Sequence, residues 1–321
     1  MKRNASLWLG VAASLVLIGA LVFGSAMTLG HWNFAALNTV EYETSTVGIG
    51  ERFRNISIRT HAEDIAFAAS DDGTCRVVFY EQESVTHTAC VQDGTLLIET
   101  SDARKWYDYM TIFSFDSPAI TVYLPQAAYD SLLIEESTGD VSVPADFAFE
   151  RIDISSSTGS VELYASSSGL IRIATDTGDI HAEGLAAGEL DLSTSTGEVD
   201  IRSVACESAV EVTASTGRTH MADVSCTSVA SHGDTGDIAL ENVICTETIA
   251  VERSTGDVTF EQCDAADLLI ATDTGDVTGS LRSEKVFIAN SATGSVEVPE
   301  TTSGGTCKIT TGTGDIAIVV S

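Results

Sequence analysis

Apolar and polar residues alternate along most of this chain, and the alternation is punctuated by a recurring Thr-Gly pair. The glycine of that pair falls at Gly139, Gly159, Gly178, Gly197, Gly217, Gly236, Gly256, Gly275, Gly294 and Gly314, always 19 or 20 residues from the next. Two residues after each glycine stands a β-branched side chain, from Val141 through Ile180 and Thr219 to Ile316. Five residues before it the chain is again mostly apolar, from Ile134 to Ile309, with Ser231 and Ala289 as breaks. Seven before it the run extends from Leu132 to Cys307. Period-two alternation of this kind predicts strands with one buried face. The glycine marks a corner where the backbone takes a positive φ.

A period of this size predicts a repeat array. Each unit reads as strand, Thr-Gly-Asp corner, strand and looser corner, which is one coil of a parallel β-solenoid with coils about 4.8 Å apart. Ten coils would make a rod about 50 Å long. A stack of antiparallel hairpins is the competing arrangement. Columns of like residues favour in-register parallel coils. Residues 131–321 form the expected solenoid, and its last strand, ending at Val320, is expected to leave an open edge. Residues 49–130 lack the triplet and read as an N-terminal β cap. Strands are expected there at 55–59, 76–80, 95–99 and 120–124, with Trp106, Tyr107 and Tyr109 between two of them.

Ahead of the cap, Leu7 to Leu29 contains no charge. As a helix it would extend roughly 34 Å, enough for a membrane span. Lys2 and Arg3 precede it, so the positive-inside rule predicts a cytoplasmic tail over 1–6, an anchor over 7–29, and an extracytoplasmic remainder. The competing reading is a signal peptide cleaved at Gly24-Ser25-Ala26. Residues 30–48 read as a polar tether, with Gly48 and Gly50 as a flexible link.

Charge narrows the partners. The chain has 321 residues and a net charge of −31. Removing Lys2 and Arg3, the only charges in 1–30, leaves −31 − 2 = −33 on the rest. Such acidity argues against nucleic acid and against anionic lipid head groups, which need clustered Lys and Arg. It favours cations or basic partners.

The residues from Ile120 to Pro125, Tyr129, and the Ser/Thr-Gly-Asp-Val units from Ser137 onward resemble the bacterial DUF4097 family, whose members carry the label "putative adhesin". Phe53–Arg59 and Lys105-Trp106-Tyr107 share the resemblance. It implies a right-handed, β-helix-like fold on the cell surface and an adhesive role, and it supplies no catalytic residues.

Candidate chemistry is sparse. Asp140, Asp179, Asp237, Asp257, Asp276 and Asp315, with Glu198, share the position after Gly. Such a column could bridge a divalent cation, with Asp237, Asp257 and Asp276 the weak candidates, but Ser160, Arg218 and Ser295 interrupt it and turn structure is the plainer role. Cys75 and Cys90 could face each other across a hairpin as a disulfide. Cys206, Cys226 and Cys245 each lie nine residues after a glycine and should stack on one corner, where one bond among them is open. Cys263 and Cys307 read as core. His181 and His220 sit two coils apart, too far for one metal ion. No nucleophile elbow, zincin motif or P-loop is present. These features predict no enzyme and no cofactor. They predict a membrane-anchored surface module that binds protein or glycan. The alternatives are an envelope-stress partner of another membrane protein and, further off, a carbohydrate-active β-helix enzyme. Oligomeric state is left open.

Overall fold

The computed structural model describes residues 2–29, 42–82, 85–102 and 117–321. Trp106, Tyr107 and Tyr109 lie outside the described residues.

From residue 128 onward the chain winds as a parallel β-solenoid. A long strand leads into each corner and a shorter one leaves it: Ala128–Thr138 then Val141–Val143, Ala148–Thr158 then Val161–Leu163, Ser166–Thr177 then Ile180–Glu183. Successive coils pair in parallel, so like residues stack. Ile134, Ile154, Ile173, Leu192 and Val212 form one such column. Val141, Val161, Ile180 and Val199 form another across the corner. All nine of these residues are buried, each worth about 1.5–3 kcal/mol over exposure. The core is therefore a continuous apolar column along the rod axis, and every coil depends on its neighbours.

The corner needs glycine for two reasons at once. At Gly217 φ is +146°, and an added Cβ would lie 1.8 Å from the carbonyl oxygen of Gly197 in the coil before. The other repeat glycines share the conformation. Three residues before six of the ten glycines stands a Ser or Thr at this close approach. Thr175, Thr194, Thr272 and Thr311 donate to the carbonyls of Gly159, Gly178, Gly256 and Gly275, at 3.0–3.4 Å.

That inward polar column has a gap at Ala214 and Gly233, and Arg253 fills it. Its guanidinium is buried and reaches across two coils, donating to the Ala214 carbonyl at 2.7 Å and to Thr219 Oγ1 at 2.8 Å. Gly233 makes the room, since a Cβ there would fall 1.5 Å from Arg253 Nη1. Burial pulls the Arg253 pKa down, with Asp234 and Asp237 opposing. Arg253→Ala is expected to cost about 2–4 kcal/mol, from the cavity and the orphaned carbonyl. Urea denaturation reads the loss, and an unchanged midpoint would show that the guanidinium supports nothing.

The cap extends both sheets of the solenoid. Asn55–Arg59 lies parallel to Ala128–Thr138, and Asp64–Ala69 lies parallel to Ala119–Leu124 and to Val141–Val143. Cys75–Gln82 and Val85–Gln92 add antiparallel pairings outside these. Tyr42–Ile49 pairs antiparallel with Cys75–Gln82, so residues 42–48 of the segment read as a tether belong to a strand, and Gly48 lies within it.

At the far end the coil order departs from the sequence order. The strand Gly305–Thr313 pairs with Asp267–Thr274 on one side and Lys285–Thr293 on the other. Ile316–Val320 likewise inserts between Val277–Leu281 and Val296–Glu297. The last coil is thus interior and the penultimate one is terminal. Apolarity accounts for the exchange. Cys307, Ile309, Ile316 and Ile318 are buried, while Ala289 is only partly covered and Val296 is exposed. Gly304 and Gly305 let the returning chain pass, since Cβ atoms there would fall 1.8 Å from Glu284 O and 1.7 Å from Ala266 O. The open edge therefore belongs to residues 285–297, and not to Val320 as expected.

The N-terminal segment is a helix, Lys2–Leu29, but the expected anchor over 7–29 is overturned. Among the described residues no helix is long and apolar enough to cross a membrane. The membrane as a partner, the cytoplasmic tail over 1–6 and the single-pass topology fall with the anchor.

Candidate functional site

The Asp column serves the corner itself. Each carboxylate reaches along the rod axis and accepts the backbone N–H of the equivalent residue one coil on. Asp140 accepts from Ser160 at 2.7 Å, Asp179 from Glu198 at 2.7 Å, Asp237 from Asp257 at 2.9 Å, and Asp257 from Asp276 at 2.8 Å. Asp276 accepts from Asp315, and Asp315 from Ser295, which retraces the exchanged coil order. Among the described residues no group of three or more His, Cys, Asp or Glu is placed to hold a metal ion. His181 and His220 are joined through Asp200 on the coil between them, at 3.1 and 2.8 Å.

All seven cysteines are free thiols. Cys75 is buried and Cys90 exposed. Cys226 and Cys245 are direct neighbours on adjacent coils, and Cys206 precedes them on the same corner, with Ala205 opposite Ser225.

A shallow groove of about 350 Å³ follows the face beside the Thr-Gly corners. Hydroxyls line it coil by coil: Ser155 and Ser157, Thr175, Ser193 and Ser195, Thr213 and Ser215, with carboxylates at Asp176 and Glu136. The periodicity that builds the corner also builds this groove, because Ser or Thr fills fifteen of the thirty positions two to four before the repeat glycines, including all three before Gly159 and Gly197.

Glu136 stands where the next three coils carry Ser156, Thr175 and Thr194, and it ends in a buried cluster. Its Oε1 accepts the Glu63 N–H at 3.2 Å. Its Oε2 has no partner, and neither has Thr60 Oγ1. Burial, reinforced by the charge of Glu63, pushes the Glu136 carboxyl up to about 8. Glu63 behaves oppositely. Burial works to raise it, but a bond from His87 and backbone N–H groups of Ala62 and His61 hold it below the usual range. His87 lies between two carboxylates, with Nε2 3.0 Å from Glu63 and Nδ1 2.6 Å from Glu81. Burial opposes its charge, yet these two bonds raise its pKa. Both ring nitrogens can donate only as imidazolium. Glu63 and His87 were not flagged by sequence reasoning. Glu136 was legible in principle, as a charge three before a corner glycine where Ser or Thr is usual.

A larger, mostly apolar depression opens on another corner. Two cavities of about 810 and 620 Å³ share Ala128 and Tyr129. Phe53, Tyr129 and Phe149 stack there at 6.0 and 5.7 Å, and the second cavity ends at Cys206 and Glu207.

Fold and site together define a parallel β-solenoid repeat protein with a capped N-terminal end and a hydroxyl-lined side groove. The profile of the family described as Toastrack DUF4097 matches residues 53–224 and 208–321, and the chain belongs to that family. No curated protein matches it. Among solved structures it is similar to a "putative adhesin" from Bacteroides fragilis, at 16% identity over 87% of this chain and 97% of that one, with a TM-score of 0.44. A "putative lipid binding protein" from Parabacteroides distasonis is 18% identical over 88% and 98%, with a TM-score of 0.47. A second "putative adhesin" from the same organism is 11% identical over 88% and 98%, with a TM-score of 0.46. These scores are too low to carry a shared function.

Proposed function

We propose that this protein is a non-catalytic, adhesin-like binding scaffold whose side groove takes a hydroxyl-rich ligand, a glycan. Membrane anchoring is removed from the function first expected, because no described helix qualifies as a span. The observation that carries the reading is the groove beside the corners. It sets a pair of hydroxyls in three of its four coils, Ser155 and Ser157, Ser193 and Ser195, Thr213 and Ser215, on a backbone fixed by in-register pairing, and it places the Asp176 carboxylate among them. Side chains that do not move on binding lose little entropy, and ring hydroxyls are matched by alternating donors and acceptors. The acidic cluster at Glu136 supports scaffold over catalyst, since the Glu136 and Glu63 carboxyls are buried inside the cap and take backbone N–H groups of Glu63, His61 and Ala62.

Titration calorimetry against a panel of neutral and basic oligosaccharides tests this. The double substitution Asp176→Lys and Ser195→Leu, both at exposed positions, is expected to weaken binding about tenfold or more, as lost bonds to charged and neutral groups would. Failure to bind any member of the panel would overturn the glycan reading. Cleavage of a bound glycan would overturn the non-catalytic one.

A further inference from the structure

The three corner cysteines carry chemistry that the binding reading does not use. Cys226 and Cys245 are paired in register on adjacent coils, and their sulfurs are 3.3 Å apart. Both are buried, as is Cys206, the thiol one coil earlier. Cys206 lines the 620 Å³ cavity and bonds the carbonyl of Ala209 at 3.3 Å. Stacked coils hold Cα atoms about 4.8 Å apart, within the span a disulfide bridges. The two sulfurs share one S–H···S hydrogen bond in which either can donate, so the pair holds a single shared proton between them once one thiol ionises. Cys226 stands between Cys206 and Cys245 in the stack, so it is the member of the pair that can meet both.

We propose that Cys226 and Cys245 are a redox-active dithiol that closes to an intrachain disulfide by exchange with a low-molecular-weight disulfide entering through the cavity at Cys206. The Cys206 thiol gives up its proton and attacks the small disulfide, forming a mixed disulfide and releasing one small thiolate. Cys226 attacks the Cys206 sulfur, forming a Cys206–Cys226 bond and releasing the second. Cys245 then attacks Cys226, moving the bond to Cys226–Cys245 and returning Cys206 as a thiolate. Each leaving thiolate takes up the proton given up by an attacking thiol. The balance is two protein thiols oxidised by two electrons and one small disulfide reduced to two thiols. The closed bond ties the two coils that follow the Cys206 end of the cavity.

The full chain carrying Cys90→Ser, which removes the exposed thiol, is treated with hydroxyethyl disulfide under denaturant-free conditions. Of the seven free cysteines, six remain after that substitution, and two of those should disappear on titration while the intact mass falls by about 2 Da. Peptide mapping should link Cys226 to Cys245. Cys226→Ser or Cys245→Ser should abolish that link, and Cys206→Ser should slow closure about tenfold or more while leaving the link in place. A persistent hydroxyethyl adduct without the mass loss, or a link between other cysteines, overturns the dithiol. Closure of Cys206→Ser at the unsubstituted rate overturns the route through Cys206. Circular dichroism of each variant separates a folded protein that does not close from one that has not folded.

Discussion

Gly217→Ala is expected to unfold the middle of the solenoid. An alanine there would have to hold φ near +146° while its Cβ sat 1.8 Å from Gly197 O and 2.6 Å from Gly197 C. Both obstructing atoms are backbone, and each is fixed by pairing to the coil on its far side, so no side-chain movement relieves the contact. The Gly197 N–H is bonded to Thr216 O at 3.0 Å, one residue from the substituted position, so the displaced chain also loses corner hydrogen bonds. Backbone strain of this kind costs about 1–3 kcal/mol alone, and the overlap raises the total beyond about 4 kcal/mol. Neighbour coupling spreads the loss to adjacent coils. Limited proteolysis should cut near the substituted corner, and the thermal transition should fall or split. Gly48→Ala is the control, since nothing lies within 4 Å of a Cβ there. It should shift stability by less than about 1 kcal/mol. A Gly217→Ala protein as stable as this control would show that close approach does not build the corner.

Glu136→Gln is expected to stabilise the protein at pH 8 and to leave it nearly unchanged at pH 5. The Glu136 carboxyl has a folded pKa of about 8 against an ordinary 4.5. Its folded value is raised, so its contribution to stability is complete below pH 4.5 and is lost as pH climbs through 8. The shift amounts to at most about 5 kcal/mol across that window. His87 is also raised, so its contribution too is present below its unfolded pKa and is lost as pH rises through the folded one. Glu63 is lowered and works in the opposite sense, with stability present above the unfolded pKa and lost as pH falls through the folded one. The cap is therefore most stable near pH 4.5, where the Glu63 contribution is in place and the Glu136 contribution has not begun to fall. Glutamine keeps an oxygen for the Glu63 N–H and adds a donor in a site holding two unpartnered oxygens, Glu136 Oε2 and Thr60 Oγ1. The expected gain at pH 8 is about 2–4 kcal/mol. Chemical denaturation at pH 5, 6.5 and 8 reads it. A variant less stable than the parent at pH 8 would mean that the carboxylate is ionised and paired there.

The Glu136 prediction turns on the repeat position that faces the corner glycines. Three residues before the corner glycine the chain offers Glu136, Ser156, Thr175, Thr194, Ala214, Gly233, Arg253, Thr272, Ser291 and Thr311. Read as a column, the hydroxyls cap glycine carbonyls, Gly233 gives room, and Arg253 bridges the gap. Alternation alone marks these positions as inward and polar without saying what they bond. The apolar columns were legible because burial at period two is local information. The hydroxyl column and the Asp ladder bond across coils, and their partners lie 16 to 39 residues away.

The sequence by itself determined the repeat, the corner glycines, the inward apolar columns and the strands of the cap near 55–59 and 95–99. Each rests on a short-range regularity that one strand or one turn enforces. Tertiary structure alone decided the coil order at the far end, because equal spacing cannot say which of two coils takes the interior place. Burial did, by placing Ile309, Ile316 and Ile318 inside and leaving Val296 at the rim. It also decided where Glu63, Glu81 and His87 meet Glu136, since antiparallel strands of the cap fold back over the first coil and bring together groups up to 73 residues apart. Residues that distant in sequence carry no shared period, and only packing makes them neighbours.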